Sequence, residues 1–231
     1  MGLWMSVQSK LAARYASRGL HRALRLAREE WRLQRRHRGS VRKLKSALKG
    51  RRNLKIHLGC GEILLPGWMN VDLLEAGADA QFDLREDWPF ESESAEYVFS
   101  EHTLEHFEFP TDVRHFLAET LRVLIPGGLT EIGVPDTAWP LAAYEEESNE
   151  YWQLSRKLWL PSEVAAGTQL EIINYHFRLD GEHRYAWDEK TLRKELEGAG
   201  FKSVERVPFD PTFHSEARRY GTLYMRARKP T

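Results

Sequence analysis

The most regular pattern of apolar and polar positions lies between Leu54 and Val71. Leu54, Ile56 and Leu58 alternate with Lys55 and His57, which predicts a strand. The run ends in Gly59-Cys60-Gly61, a turn whose backbone must come close to something. A loop over 59–67 then leads to a second short strand, 68–71, that stops on Asp72. The pattern next predicts a short strand at 80–82 ending on Asp83-Leu84, and a clear strand at 97–100. Pro110 opens a helix that runs to Leu124, with Val113, Phe116, Leu117, Leu121 and Leu124 at core spacing. Pro126-Gly127-Gly128 stops it, and a strand follows at 129–134. Residues 137–180 break the rhythm and are rich in aromatics. Regularity returns at Asp188, a good N-cap for a helix to about Glu197, followed by strands at 201–207 and 220–228. Strands alternating with helices predict an α/β fold, a doubly wound, mostly parallel sheet of seven strands with helices on both faces.

A different periodicity governs the start. Between residues 4 and 33 there is no proline and one glycine, and Trp4, Val7, Leu11, Tyr15, Leu20, Leu24, Ala27 and Trp31 recur at helical spacing. Arg14, Arg18, Arg22, Arg25, Arg32 and Arg36 run along another face, giving a basic amphipathic helix. The stretch 35–52, basic and carrying Gly39-Ser40 and Gly50, reads as a linker. The expected organisation is therefore a basic helical arm and linker at 1–52 and a catalytic-type domain at 53–231, with 137–180 as a substrate lid.

Charge sharpens this division. The net charge is zero, yet residues 1–52 carry 16 Lys and Arg against 2 acidic residues, a balance of +14, and residues 53–231 carry 18 against 32, a balance of −14. Residues 1–36 suit an anionic membrane surface or nucleic acid, and equally suit docking on the acidic domain of the same chain or a second subunit. Met1-Gly2 with Ser6 fits an N-myristoylation pattern, and the Arg-rich start is like a transit peptide. Cys60 is the only cysteine, so no intramolecular disulfide forms and a reducing, cytoplasmic compartment is expected, with peripheral membrane contact through the arm. No run approaches the roughly 20 apolar residues of a membrane-spanning helix.

In open parallel sheets, ligands bind beyond the carboxyl ends of the strands, and those ends here carry Gly59, Asp72, Asp83, the segment Ser100 to His106, and Asp136. An acidic residue ending the second strand, beside a glycine turn ending the first, is suited to hold a ribose by its hydroxyls. Leu58-Gly59-Cys60-Gly61, then Pro66-Gly67-Trp68, then Asn70-Val71-Asp72 resemble the first motif of class I S-adenosylmethionine-dependent methyltransferases, in a bacterial branch reading L-G-C-G, P-G-W, N-V-D. The usual third glycine is replaced by Glu62, and the span to Asp72 is too short for a full helix, which argues against a phosphate-bearing dinucleotide.

The resemblance implies a Rossmann-like methyltransferase fold and S-adenosylmethionine as cofactor, held by Gly59, Cys60, Gly61, Asp72, Asp83, Leu84, Ser100, Glu101 and His102. Asp72 would take the ribose, and Asp83 with Leu84 would sit at the adenine. Leu104-Glu105-His106 matches a Leu-Glu-His element of the same family. His102 to His106 also spells the H-x-x-E-H of inverted zinc proteases, but Pro110 cuts short the helix that site needs, so a metal-dependent hydrolase is the lesser reading. No metal is expected, an ion at His102, Glu105 and His106 being the minor alternative. His106, Asp136 and His183 are the candidate catalytic bases, with His176 a further one; His183-Arg184-Tyr185 matches a His-Arg-aromatic element of the branch. The Asn-Pro-Pro-Tyr type signature of base-modifying enzymes is absent after Ser100, which disfavours nucleic acid as substrate. The expected function is methyl transfer to an oxygen or nitrogen of a small-molecule or saccharide substrate. The competing reading is a catalytically inactive adapter tethered by its basic arm.

Overall fold

The computed structural model describes residues 17–74, 77–144, 146 and 149–231. The apolar positions Trp4, Val7, Leu11 and Tyr15 and the pattern at Met1-Gly2 and Ser6 lie outside the described residues. The first described element is a single helix, α1 (Arg18–Leu48), capped by the Ser17 side chain, which accepts from the Leu20 N–H. It overturns the linker reading of 35–52. Gly39 costs a helix about 1 kcal/mol, but strong helix formers flank it, and the last turns pack on the domain. Leu48 is buried in the main core, with Val41 and Leu44 packed against it.

The sheet holds β1 (Leu54–Leu58), β2 (Met69–Val71), β3 (Ala95–Glu101), β4 (Leu124–Pro135), β5 (Lys202–Val207) and β6 (Thr222–Arg228), in the order β2-β1-β3-β4-β6-β5. The pairs β1·β2, β1·β3 and β3·β4 are parallel, and β6 runs antiparallel to both neighbours. This is the expected Rossmann-like sheet with six strands rather than seven. The strand predicted at 80–82 shrinks to one bridge, Val71 to Ala80, because the chain turns at once into the loop that α1 covers. The helix predicted to reach Leu124 is α2 (Thr111–Val123), and β4 already begins at Leu124, pairing with Ala95 before a register shift that takes up Pro126-Gly127-Gly128.

The two faces of the sheet differ in chemistry. Ile56, Leu58, Val98, Ile132, Val134, Leu223 and Met225 form one apolar face under α2 and under α7 (Glu189–Gly198), whose N-cap is Asp188 as predicted. The opposite face is polar and aromatic, and Phe213, His214 and Arg218 of the segment 208–219 pack on it. His57 stacks on Phe99, Phe99 on His214, and His214 on Tyr224 at 3.8 Å. Below them the buried Glu131 accepts from His214 Nε2 (2.6 Å), Tyr97 (2.8 Å) and Arg226 (2.9 Å). Gly133 in β4 lets Tyr224 lie across this face, since a Cβ there would sit 2.7 Å from the ring.

The stretch 137–180 folds into four helices, α3 (Ala138–Ala143), α4 (Glu150–Leu158), α5 (Ser162–Ala165) and α6 (Gln169–Arg178), with Ala143, Tyr151, Trp152, Ile172 and Ile173 as a core of their own. A Thr168–Glu171 capping box starts α6. Among the described residues no helix is long and apolar enough to cross a membrane.

Candidate active site

The glycine turn is built as the pattern predicts. Gly59 has φ +65°, and a methyl group on it would lie 2.1 Å from Thr103 Oγ1, so only glycine lets the end of β1 pass beneath the end of β3. The buried Cys60 donates its N–H to the Val71 carbonyl (3.0 Å), tying the turn to β2. Gly61 donates its N–H to Asp72 Oδ2 (3.1 Å), and Leu74 donates to Oδ1 (2.8 Å). Asp72 thus braces the turn it was expected to work with.

Asp83, Leu84, Glu101 and Asp136 have partners within the fold. Asp83 accepts three hydrogen bonds from the Arg85 guanidinium, and its N–H donates to His37 of α1 (3.3 Å). Burial pushes the Asp83 carboxyl up, but Arg85 outweighs it and holds the group below the usual carboxylate range. Leu84 is buried in the core, and its carbonyl accepts from Trp88 Nε1. Ser100 is buried on the apolar face, while Glu101 turns to the polar face, accepting from Tyr224 (2.5 Å), Arg218 (3.3 Å) and the Ser215 N–H (3.3 Å). Asp136 accepts from Arg206 (3.1 Å) and from the Ala138 N–H (3.1 Å), so both of its oxygens serve structure.

At His102 (φ +53°) the chain leaves β3, and Leu104–His106 forms one 3-10 turn, so the two histidines of H-x-x-E-H do not share the face of an α-helix. Instead, residues 102–106 meet the His183 segment. Arg184 and Tyr185 both donate their N–H groups to the Glu105 carbonyl (2.7 and 3.2 Å), which brings the His106 and His183 rings to 5.1 Å. Glu105 is 1% exposed and its carboxylate has no hydrogen-bond partner among the described residues. Burial pushes its carboxyl up to about 8, and burial likewise holds His102, His106 and His183 below the usual imidazole range, so the histidines are neutral near pH 7.

The proton positions follow from their partners. His106 Nδ1 meets the Glu182 carbonyl (3.2 Å) and His183 Nδ1 meets the His176 carbonyl (3.0 Å). A carbonyl only accepts, so each Nδ1 carries the hydrogen and each Nε2 keeps a lone pair. Beside them opens a cavity of about 370 Å³ walled by His102, Tyr151, Trp159, His176, His183 and Arg218 among others. None of its walls comes from the glycine turn, yet Thr103, which abuts Gly59, is the neighbour of His102 in the chain. A turn suited to a nucleoside cofactor and a cavity lined with neutral imidazoles thus meet across one residue.

Residues 59–206 match the family described as "Methyltransferase domain". The chain belongs to that family. The methyltransferase uses S-adenosylmethionine, and the hydrolase reading falls with the helix it needed. Among solved structures it is similar to a SAM-dependent methyltransferase from Archaeoglobus fulgidus (16% identity, TM-score 0.48, covering 87% of this chain and 99% of that one). It is also similar to one from Thermotoga maritima (19%, 0.46, 89% and 97%) and to Haemonchus contortus phosphoethanolamine N-methyltransferase 2 crystallised with S-adenosyl-L-methionine (15%, 0.46, 84% and 53%). The chain spans about half the length of the last. No curated protein matches it.

Sequence reasoning gave His102 to the cofactor, named His106 and His183 as candidate bases and placed Tyr151 and Trp159 in the lid; the structure brings His102 and His183 to one cavity wall and adds Arg218, which was not singled out. The two aromatics had a signal in the composition of 137–180. Arg218 had none, since 208–219 shows no periodicity.

Proposed function

We propose that this methyltransferase methylates an oxygen or nitrogen of a small-molecule or saccharide substrate held in the cavity beside His183. The observation that carries this reading is the neutral imidazole of His183, its Nε2 keeping a lone pair, on the wall of a cavity also lined by Tyr151, Trp159, Tyr175 and Tyr220. Direct displacement at a sulfonium methyl needs an aligned nucleophile, exclusion of water and a means of activating a hydroxyl. Aromatic walls suit the apolar face of a sugar or similar ring, and α3 to α6 are the closing element. Asp136 already accepts from Arg206 and the Ala138 N–H, which favours His183 as the base. The test is transfer of labelled methyl groups from S-adenosylmethionine to pools of saccharides, hydroxylated small molecules, amines and nucleic acids. Label should enter the first three classes and be lost in His183→Asn while calorimetric binding of S-adenosylhomocysteine persists. Label in nucleic acid alone, or full turnover by His183→Asn, would overturn the reading.

We also propose that the undocked half of α1 rests on an anionic membrane surface. Leu20, Leu24, Leu26 and Trp31 are each about half exposed or more, whereas Val41, Leu44 and Leu48 pack on the domain. Exposed apolar residues among arginines favour an interface that takes both charge and apolar area.

A further inference from the structure

We propose that Glu105, His106 and His183 form a binding site for a divalent transition-metal ion, with His102 able to join them, and that the ion holds the acceptor's oxygen at the edge of the cavity. This rests on the site assigned above to the methyl acceptor and adds what activates it. One donor atom from each of Glu105, His106 and His183 lies within 4.8 Å of the others. Glu105 Oε1 is 3.9 Å from His106 Nε2 and 3.7 Å from His102 Nδ1. Donors around a tetrahedral ion at about 2.1 Å stand about 3.4 Å apart, so closing by roughly 1 Å brings them to bonding positions.

Three independent observations point to a cation rather than to a packed polar cluster. Neither carboxylate oxygen of the buried Glu105 finds a donor among the described residues, although buried carboxylates are ordinarily satisfied. Two imidazoles of the cluster keep a lone pair on Nε2, because backbone carbonyls hold their Nδ1–H groups, and that of His106 is on the Glu105 side; this is the outer-shell arrangement of metal-binding histidine. His102 follows the same logic through a hydroxyl. Thr222 donates its hydroxyl hydrogen to the Arg218 carbonyl (2.7 Å), so it accepts from His102 Nε2 (2.8 Å), which leaves the lone pair of His102 Nδ1 on the Glu105 side. Three imidazoles around Glu105 therefore offer lone pairs rather than N–H hydrogens, and a cation would take the place of the Glu105 proton.

Imidazole with carboxylate suits Zn²⁺, Co²⁺, Mn²⁺ or Fe²⁺ rather than Ca²⁺ or Mg²⁺. Three protein ligands around a tetrahedral ion leave one position open, and His183 lies on the cavity wall. A hydroxyl bound at that position becomes a stronger acid. During transfer its proton leaves to solvent, its oxygen forms the new bond to the methyl carbon, and the sulfonium sulfur keeps the electron pair of the broken C–S bond.

The experiment uses the full chain stripped with chelator and needs neither cofactor nor acceptor. Zn²⁺ is titrated against a chromophoric chelator, and Co²⁺ is followed by its visible ligand-field absorption. One equivalent of each should bind, with a Co²⁺ spectrum of mixed nitrogen and oxygen ligation. His183→Asn and, separately, Glu105→Gln should each weaken binding at least tenfold, while His21→Ala, an exposed histidine far along α1, should change nothing. Retained S-adenosylhomocysteine binding certifies that a variant is folded, and His106→Asn replaces either one that is not. No stoichiometric uptake, or uptake indifferent to these substitutions, would overturn the site. Methyl transfer that survives chelation would remove the metal's part while leaving the methyl-transfer reading standing.

Discussion

At the scale of single residues, the glycine turn and Asp72 act as one unit. Asp72 accepts the Gly61 and Leu74 N–H groups, so its loss both loosens the turn and removes an acceptor for ribose hydroxyls. Asp72→Ala should weaken S-adenosylhomocysteine binding by about 1 to 3 kcal/mol, read by calorimetry, with the protein still folded; a change under twofold would separate Asp72 from the cofactor. His57 shows what the polar face costs. Burial lowers its imidazole from the usual 6.5 to about 4 as it donates Nδ1–H to Asn70 and stacks on Phe99. The folded state therefore holds fewer protons than the unfolded state between those values. The contribution is fully present above pH 6.5 and is lost as pH falls towards 4. Between pH 7 and pH 5 the native protein should lose about 2 kcal/mol more stability than His57→Gln does, measured by denaturant unfolding at the two pH values. Parallel pH dependence of the two proteins would contradict this.

Among the elements, α1 divides in function along its length. Its last turns belong to the core, while its middle reaches the loop after β2: Glu30 pairs with Arg85 (3.1 Å), Gln34 hydrogen-bonds Glu86, and His37 accepts from Asp83. Leu48→Ala should cost about 2 to 4 kcal/mol, the range for emptying a fully buried leucine site. Trp31→Ala, at 60% exposure, should change stability by less than about 0.5 kcal/mol yet reduce sedimentation with anionic vesicles. A large stability loss in Trp31→Ala would mean that this half is docked too.

For the whole molecule, the split between a +14 arm and a −14 domain is not what fastens the helix. Among the described residues the ion pairs joining the first 52 residues to the rest are Arg52–Glu91 and Glu30–Arg85, and the second runs against the overall polarity. Surface pairs contribute little, so apolar packing of Val41, Leu44 and Leu48 holds the arm and leaves most of its positive charge unneutralised. Deleting residues 1–33 should therefore keep domain stability and abolish vesicle sedimentation, whereas deleting 1–50 should lower stability as well. Equal sedimentation of the full and shortened chains would remove the membrane proposal, and loss of sedimentation to competing duplex DNA would point to nucleic acid.

What the sequence determined by itself was whatever rests on local periodicity and turn chemistry. Alternation at 54–58, the Gly59 turn, the Asp188 cap and the core spacing of Val113, Phe116 and Leu117 each depend on neighbours a few residues away, and each is found in the fold. The tertiary structure decided whatever rests on distant partners. Gly39-Ser40 reads as a break locally, but packing of Leu44 and Leu48 carries the helix through it. The stretch at 80–82 has strand character, but its pairing with β2 is a single bridge at Ala80. Asp136 stands at a strand end in the expected order, yet Arg206, 70 residues away, takes one of its oxygens. The site itself depends on two backbone hydrogen bonds, from Arg184 and Tyr185 to the Glu105 carbonyl. No periodicity announces that contact, because a carbonyl is common to every residue and only the closed sheet determines which donor reaches it.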